Sequence, residues 1–136
     1  MKKIIFSKSY SPRTGHNFVA EVFKTFVDAE VLVHHRSETR IAPLLDAYYR
    51  IYDKHIYGKS DKDFFDYLFI KDSRNKIITK SDKELVIIKN TSFVGIEHIG
   101  RVFPNDIQIL ILRYPYSVLK SIFKGMSLGK KILKTY

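Results

Sequence analysis

The sequence predicts an α/β fold, a three-layer sandwich around a mainly parallel central sheet. Three observations point there. Short apolar runs alternate with longer stretches whose apolar residues recur at helical spacing. The run "IQILILR" (107–113) is apolar nearly throughout, the pattern of a strand covered on both faces, as strands of parallel sheets are. The chain has 136 residues and 45% hydrophobic content, enough for one compact domain with a sizeable core and too apolar for a disordered chain.

In order, residues 3–9 read as a first strand. Residues 15–27 follow as a helix with Phe18, Val19, Val22, Phe23 and Phe26 on one stripe, and "AEVLVHH" (29–35) as a second strand. Residues 41–55 read as a helix with Leu44, Leu45, Tyr48 and Tyr52 spaced for one face. "GKSDKDFFDYLF" opens on turn residues and continues into a short helix. Residues 71–83 are strongly polar and read as an exposed excursion. "ELVIIKN" is a buried strand and "SFVGIEHIGRVF" a short helix. Pro115, just after "IQILILR", opens the next helix where its missing N–H costs little. The final "GMSLGKKILKTY" reads as a loop and a fraying helix.

Charge narrows the partners. Lys and Arg number 24 against 14 Asp and Glu, a formal net charge of +10, which draws polyanions such as nucleotides, nucleic acid, charged sugars or an anionic membrane face. With no cysteine, disulfides, thiolate metal sites and Cys nucleophiles are excluded. The apolar run after "MKK" is too short for a signal peptide, and no run is long enough for a membrane span. A soluble, cytoplasmic protein of one domain, 1–136, is expected.

The turn "SPRTGHN" (11–17) lies between the first strand and the first helix, at a strand's carboxyl end, where open α/β sheets bind ligands. Gly15 permits conformations closed to other residues and lets a ligand approach the backbone. The N–H groups of about residues 15–18 lack helical acceptors and, with the helix dipole, make an anion site; the alternative is a plain strand-to-helix connection. Arg13 adds a permanent forked cation, and Thr14, His16 and Asn17 add donors. The turn is not a common phosphate loop: neither G-x-x-x-x-G-K-[ST] nor G-x-G-x-x-G occurs.

Pro12, Arg13, Thr14, Gly15, His16, Asn17 and Phe18 follow the pattern Pro-[Lys/Arg]-x-Gly-x-x-aromatic. This resembles the 5′-phosphosulfate loop of sulfotransferases, which take a sulfonyl group from 3′-phosphoadenosine 5′-phosphosulfate (PAPS). The usual loop has two hydroxyl residues after the glycine and a Trp as the aromatic; here stand His16, Asn17 and Phe18. The family binds the 3′-phosphate with an Arg ending a buried strand and a Ser eight positions later. Arg113 and Ser121 have that spacing, with Pro115 where many members carry Pro. Lys89-Asn90-Thr91 closes the "LVIIKN" strand, and many sulfotransferases have a Lys there. The catalytic His of the small-molecule branch has Thr91 in its place, so the resemblance implies a carbohydrate hydroxyl as acceptor rather than a steroid or phenol.

The resemblance spans residues 3 to about 125. It implies a P-loop NTPase-like sulfotransferase fold whose usual carboxyl-terminal part is missing, PAPS as co-substrate, no metal, and a hydroxyl-bearing acceptor, a glycan. The cofactor-binding residues implied are Arg13 to Phe18, Arg113 and Ser121. Arg13 would also stabilise charge on the departing oxygen. Glu38, then His35, are the candidate bases after the second strand; the plainer alternative is that "HHRSETR" is a solvated basic loop. Nucleic acid is not an expected partner, and the oligomeric state is open. Tyr48, Tyr49, Tyr52, Tyr57, Phe64, Phe65, Tyr67 and Phe69 form either a sugar-stacking platform or, as helical spacing favours, core and cleft wall. Three rival functions stand: a nucleotide-binding phosphotransferase, an inactive PAPS-binding homologue, and a basic nucleic-acid-binding module.

Overall fold

The computed structural model of the protein describes residues 2–11, 14–32 and 39–125. The order of elements is β1 (Lys3–Lys8), α1 (His16–Phe26), β2 (Ala29–Leu32), α2 (Ile41–His55), α3 (Lys59–Phe69), α4 (Ser73–Ile78), β3 (Leu85–Asn90), α5 (Ile96–Val102), β4 (Ile107–Leu110) and α6 (Pro115–Gly125). The four strands form one sheet in the order β2-β3-β1-β4, and every pairing is parallel.

Side chains alternate across the sheet, and the two faces collect different helices. Ile4, Phe6, Val86 and Ile88 meet Ala42, Ile99 and Phe103 on one side, with the Phe6 and Phe103 rings 4.7 Å apart. Ile5, Leu85 and Ile87 meet Ala20 and Phe23 of α1 on the other. Helices therefore cover both faces, as a three-layer sandwich requires. The chain runs from β1 to β2 through α1 on one face, and from β3 to β4 through α5 on the other, in opposite directions along the sheet. Parallel connections of a single hand demand this pairing of direction and face.

Local chemistry sets the helix starts. α2 carries Pro43 in its first turn, where its missing N–H forfeits no intrahelical bond. The Ala42 N–H donates to Asn90 Oδ1 at 3.2 Å, so β3 supplies the cap that Arg40 does not. α5 begins at Gly95, φ +76, where an added Cβ would lie 2.0 Å from the Ala42 carbonyl oxygen. That contact presses α5 onto α2.

Three expectations need correction. First, β4 is short, forms the sheet's edge and is half-exposed, with Ile107 and Leu110 open to solvent, so Arg113 lies three residues beyond the strand instead of ending a buried one. Second, residues 71–83 are not merely an exposed excursion. They contain α4, whose Ile77 and Ile78 pack on the core beside Ile4 and Val86. Arg74 there pairs with buried Asp106, Nε to Oδ2 at 2.8 Å, and Asp106 Oδ1 also accepts the Ile4 N–H. Third, α1 packs through His16, Ala20 and Phe23, while Phe18, Val22 and Phe26 of the expected stripe are exposed. The Tyr and Phe residues divide: Tyr49 and Tyr52 are core, whereas Tyr57, Phe64, Tyr67 and Phe69 are open to solvent.

Candidate functional site

The carboxyl ends of β1, β3 and β4 lie side by side, and backbone bonds carry the chain past each strand. The Ser9 N–H donates to the Asn90 carbonyl at 3.0 Å and the Ile111 N–H to the Lys8 carbonyl at 2.7 Å. The turn after β1 then opens α1 at Gly15, in the left-handed region with φ +110. Among the described residues no side chain caps this helix start, and an intrahelical bond runs from the Val19 N–H to the Gly15 carbonyl. The N–H groups before it face the helix's amino-terminal end, where the dipole is positive.

Lys89 reaches the same place from β3. It alternates with Asn90, so its side chain lies on the α1 face of the sheet, and it is only 1% exposed. Its ammonium donates to Asn17 Oδ1 at 2.8 Å. A buried cation and a positive helix end thus share the first turn of α1, an arrangement suited to an anion. The Lys89 carbonyl accepts from the Thr39 N–H at 2.8 Å and the Thr39 hydroxyl at 2.9 Å. Where the chain returns from β2, it is therefore tied to the same strand end. Lys8, on the opposite face, donates to Gln108 Oε1 at 2.7 Å, and burial holds its ammonium below the usual lysine value.

The expected site residues separate into groups. Thr14, Gly15, His16 and Asn17 lie in or beside the turn, with Thr14 donating to the Ser11 carbonyl at 3.2 Å. His16 is buried, and both ring nitrogens are engaged by hydroxyls in and just after β1, Nδ1 with Ser7 Oγ at 2.7 Å and Nε2 with Ser9 Oγ at 2.6 Å. Its ring is thus not a donor to a ligand; the backbone N–H keeps that role. Phe18 is 74% exposed, on the outside of α1. Arg113 joins the site through its backbone, the carbonyl accepting the Tyr10 hydroxyl at 2.6 Å, while its side chain is exposed. Ser121 is half-buried two turns into α6. Arg13, His35 and Glu38 lie outside the described residues, so the charge stabiliser and both candidate bases have no place in this geometry.

Ser7, Ser9 and the buried placement of Lys89 were not expected as parts of the site. The signal was present: a lysine at the end of an otherwise apolar strand must find a polar environment, and the strand's carboxyl end offers one. Among the described residues, Asp46, Glu97 and His98 could hold a metal ion, their ligand atoms within 4.8 Å of one another. They sit on α2 and α5, across the sheet from Lys89, and Asp46 is paired with Arg50 at 2.7 Å. No family model and no curated protein matches the chain. No helix among the described residues is long and apolar enough to cross a membrane.

Proposed function

We propose that the protein binds PAPS at the carboxyl end of its sheet and transfers the sulfonyl group to a hydroxyl acceptor, a carbohydrate by the Thr91 departure. The observation that carries this reading is the convergence of the Lys89 ammonium and the amino-terminal end of α1 on one turn. Beside it, on the neighbouring strand end, the Tyr10–Arg113 contact brings the second basic motif alongside the first. In this reading the Gly15 turn, Lys89 and Arg13 take the 5′-phosphosulfate, and Arg113 with Ser121 takes the 3′-phosphate. Fixed N–H dipoles and cations stabilise charge on the departing phosphate oxygen. Glu38 or His35 accepts the proton of an acceptor hydroxyl held in line.

Calorimetry decides between this and the other anion-binding readings. Adenosine 3′,5′-bisphosphate is expected to bind more tightly than AMP, ATP or a DNA oligomer. Arg113→Ala is expected to weaken the bisphosphate by about tenfold while leaving AMP little changed. Equal affinity for AMP and the bisphosphate removes the 3′-phosphate site. A preference for DNA that falls steeply with salt favours nucleic-acid binding instead.

A further inference from the structure

Five polar groups around the turn form one continuous chain of hydrogen bonds. The Ser7 hydroxyl lies 2.7 Å from His16 Nδ1, His16 Nε2 lies 2.6 Å from the Ser9 hydroxyl, and Ser9 Oγ donates to the Ser11 carbonyl at 2.7 Å. The Thr14 hydroxyl donates to the same carbonyl at 3.2 Å. A carbonyl can only accept, so the chain has a fixed polarity. Ser9 spends its single proton on Ser11 and must accept from His16, so Nε2 carries the imidazole proton. Nδ1 is then bare and accepts from the Ser7 hydroxyl. Ser7, Ser9 and His16 are all buried, so water cannot easily replace any link. The imidazolium would force the Ser7 hydroxyl to accept and leave its own proton to find a new partner in a buried site.

We infer that His16 is the positioning residue of the turn: a neutral Nε2–H imidazole that locks Ser9 and the Ser11 carbonyl against the first turn of α1 and so sets the shape in which the turn meets an anion. The inference rests on the proposed nucleotide site for its functional consequence, but the lock itself is a property of the free protein. It also explains why a residue directly after Gly15 points inward, away from any ligand. Among the described residues, the Lys89 ammonium bonds to the adjacent Asn17 at the positive end of α1.

The test uses two substitutions and one spectroscopic signature on the whole chain. In His16→Gln the side-chain amide still reaches Ser9 as a donor. In His16→Asn an acceptor for Ser7 remains, but the amide is too short for Ser9. Adenosine 3′,5′-bisphosphate is expected to bind His16→Asn about tenfold more weakly than wild type, and His16→Gln within about threefold. Amide exchange at Thr14 and Gly15 is expected to quicken in His16→Asn and to recover in His16→Gln. In ¹⁵N-histidine spectra of the wild type, His16 is expected as the Nε2–H tautomer at neutral pH. An Nδ1–H tautomer or an imidazolium overturns the inference, as does unchanged Thr14 and Gly15 exchange in His16→Asn. If wild type fails to bind the bisphosphate, the nucleotide reading falls, while tautomer and exchange still decide the positioning role.

Discussion

The Lys89 ammonium donates to Asn17 Oδ1 across 2.8 Å, fixing a buried cation from β3 at the first turn of α1. Both the lysine and the helix end are positive, so an anion held between them would meet both. Lys89→Met, similar in length but uncharged, is therefore expected to weaken adenosine 3′,5′-bisphosphate by about tenfold or more. Calorimetry measures the affinity, and a thermal melt checks that the variant is folded. Undiminished affinity in a folded Lys89→Met would remove the lysine from the site.

Two glycines at helix starts have the same left-handed backbone but different surroundings, and alanine substitution should separate them. At Gly15, φ +110, an added Cβ has nothing within 4 Å, so Gly15→Ala carries only the backbone cost, about 1–2 kcal/mol. At Gly95, φ +76, the Cβ would fall 2.0 Å from the Ala42 carbonyl oxygen and 2.8 Å from Asp46 Cβ, so α5 must leave α2. Gly95→Ala is expected to cost about 3 kcal/mol or more. Urea unfolding of both variants gives the comparison; equal losses would mean that the approach of α5 to α2 is looser than described.

Asp106 holds the polar 71–83 segment to the sheet. Its side chain is 1% exposed, it pairs with Arg74 at 2.8 Å, and it accepts the Ile4 N–H at 3.2 Å. Arg74 in turn donates to the Lys2 carbonyl at 2.9 Å. Asp106→Ala leaves a partly buried guanidinium and a buried N–H without their acceptor, and about 3 kcal/mol of destabilisation is expected. Hydrogen exchange should show α4 opening first in this variant. Intact protection across residues 73–78 would show that Ile77 and Ile78 hold α4 without the ion pair.

The alternation of strand and helix was legible because it depends on local patterns: "KIIF" and "LVIIK" are β-branched runs, and α2 spans residues 41–55, as its spacing predicts. Position within the sheet was not. "IQILIL" has the composition of a central strand, yet β4 is the edge, because strand order follows from crossovers that no local window contains. α4 was hidden for a related reason. Its charged residues suggested solvent, while the partner that fixes Arg74, Asp106, lies 32 positions away. At the site, Gly15 and the helix start were readable from turn chemistry. The inward turn of His16 depends on Ser7 and Ser9, whose hydroxyls look incidental in the sequence.

The tyrosine pair of α2 makes a prediction at high pH. Tyr48 and Tyr52 both donate to Asp66 of α3, at 3.0 and 2.7 Å. The Asp66 hydrogen bond and burial push the Tyr52 phenol from 10 to about 12. Burial first, then Asp66, raises Tyr48 as well. Each raised value means that the folded state holds its proton after the unfolded chain has released it. The stabilisation is complete below pH 10 and drains away as pH rises from 10 through about 12. Tyr52→Phe removes one donor to Asp66, so it should be less stable than wild type at neutral pH, by about 1 kcal/mol. With one fewer phenol to ionise, it should lose stability less steeply in alkali, and the two curves should converge. Urea midpoints measured across that range test the pair, and parallel curves for wild type and Tyr52→Phe would show that Asp66 does not hold the Tyr52 proton.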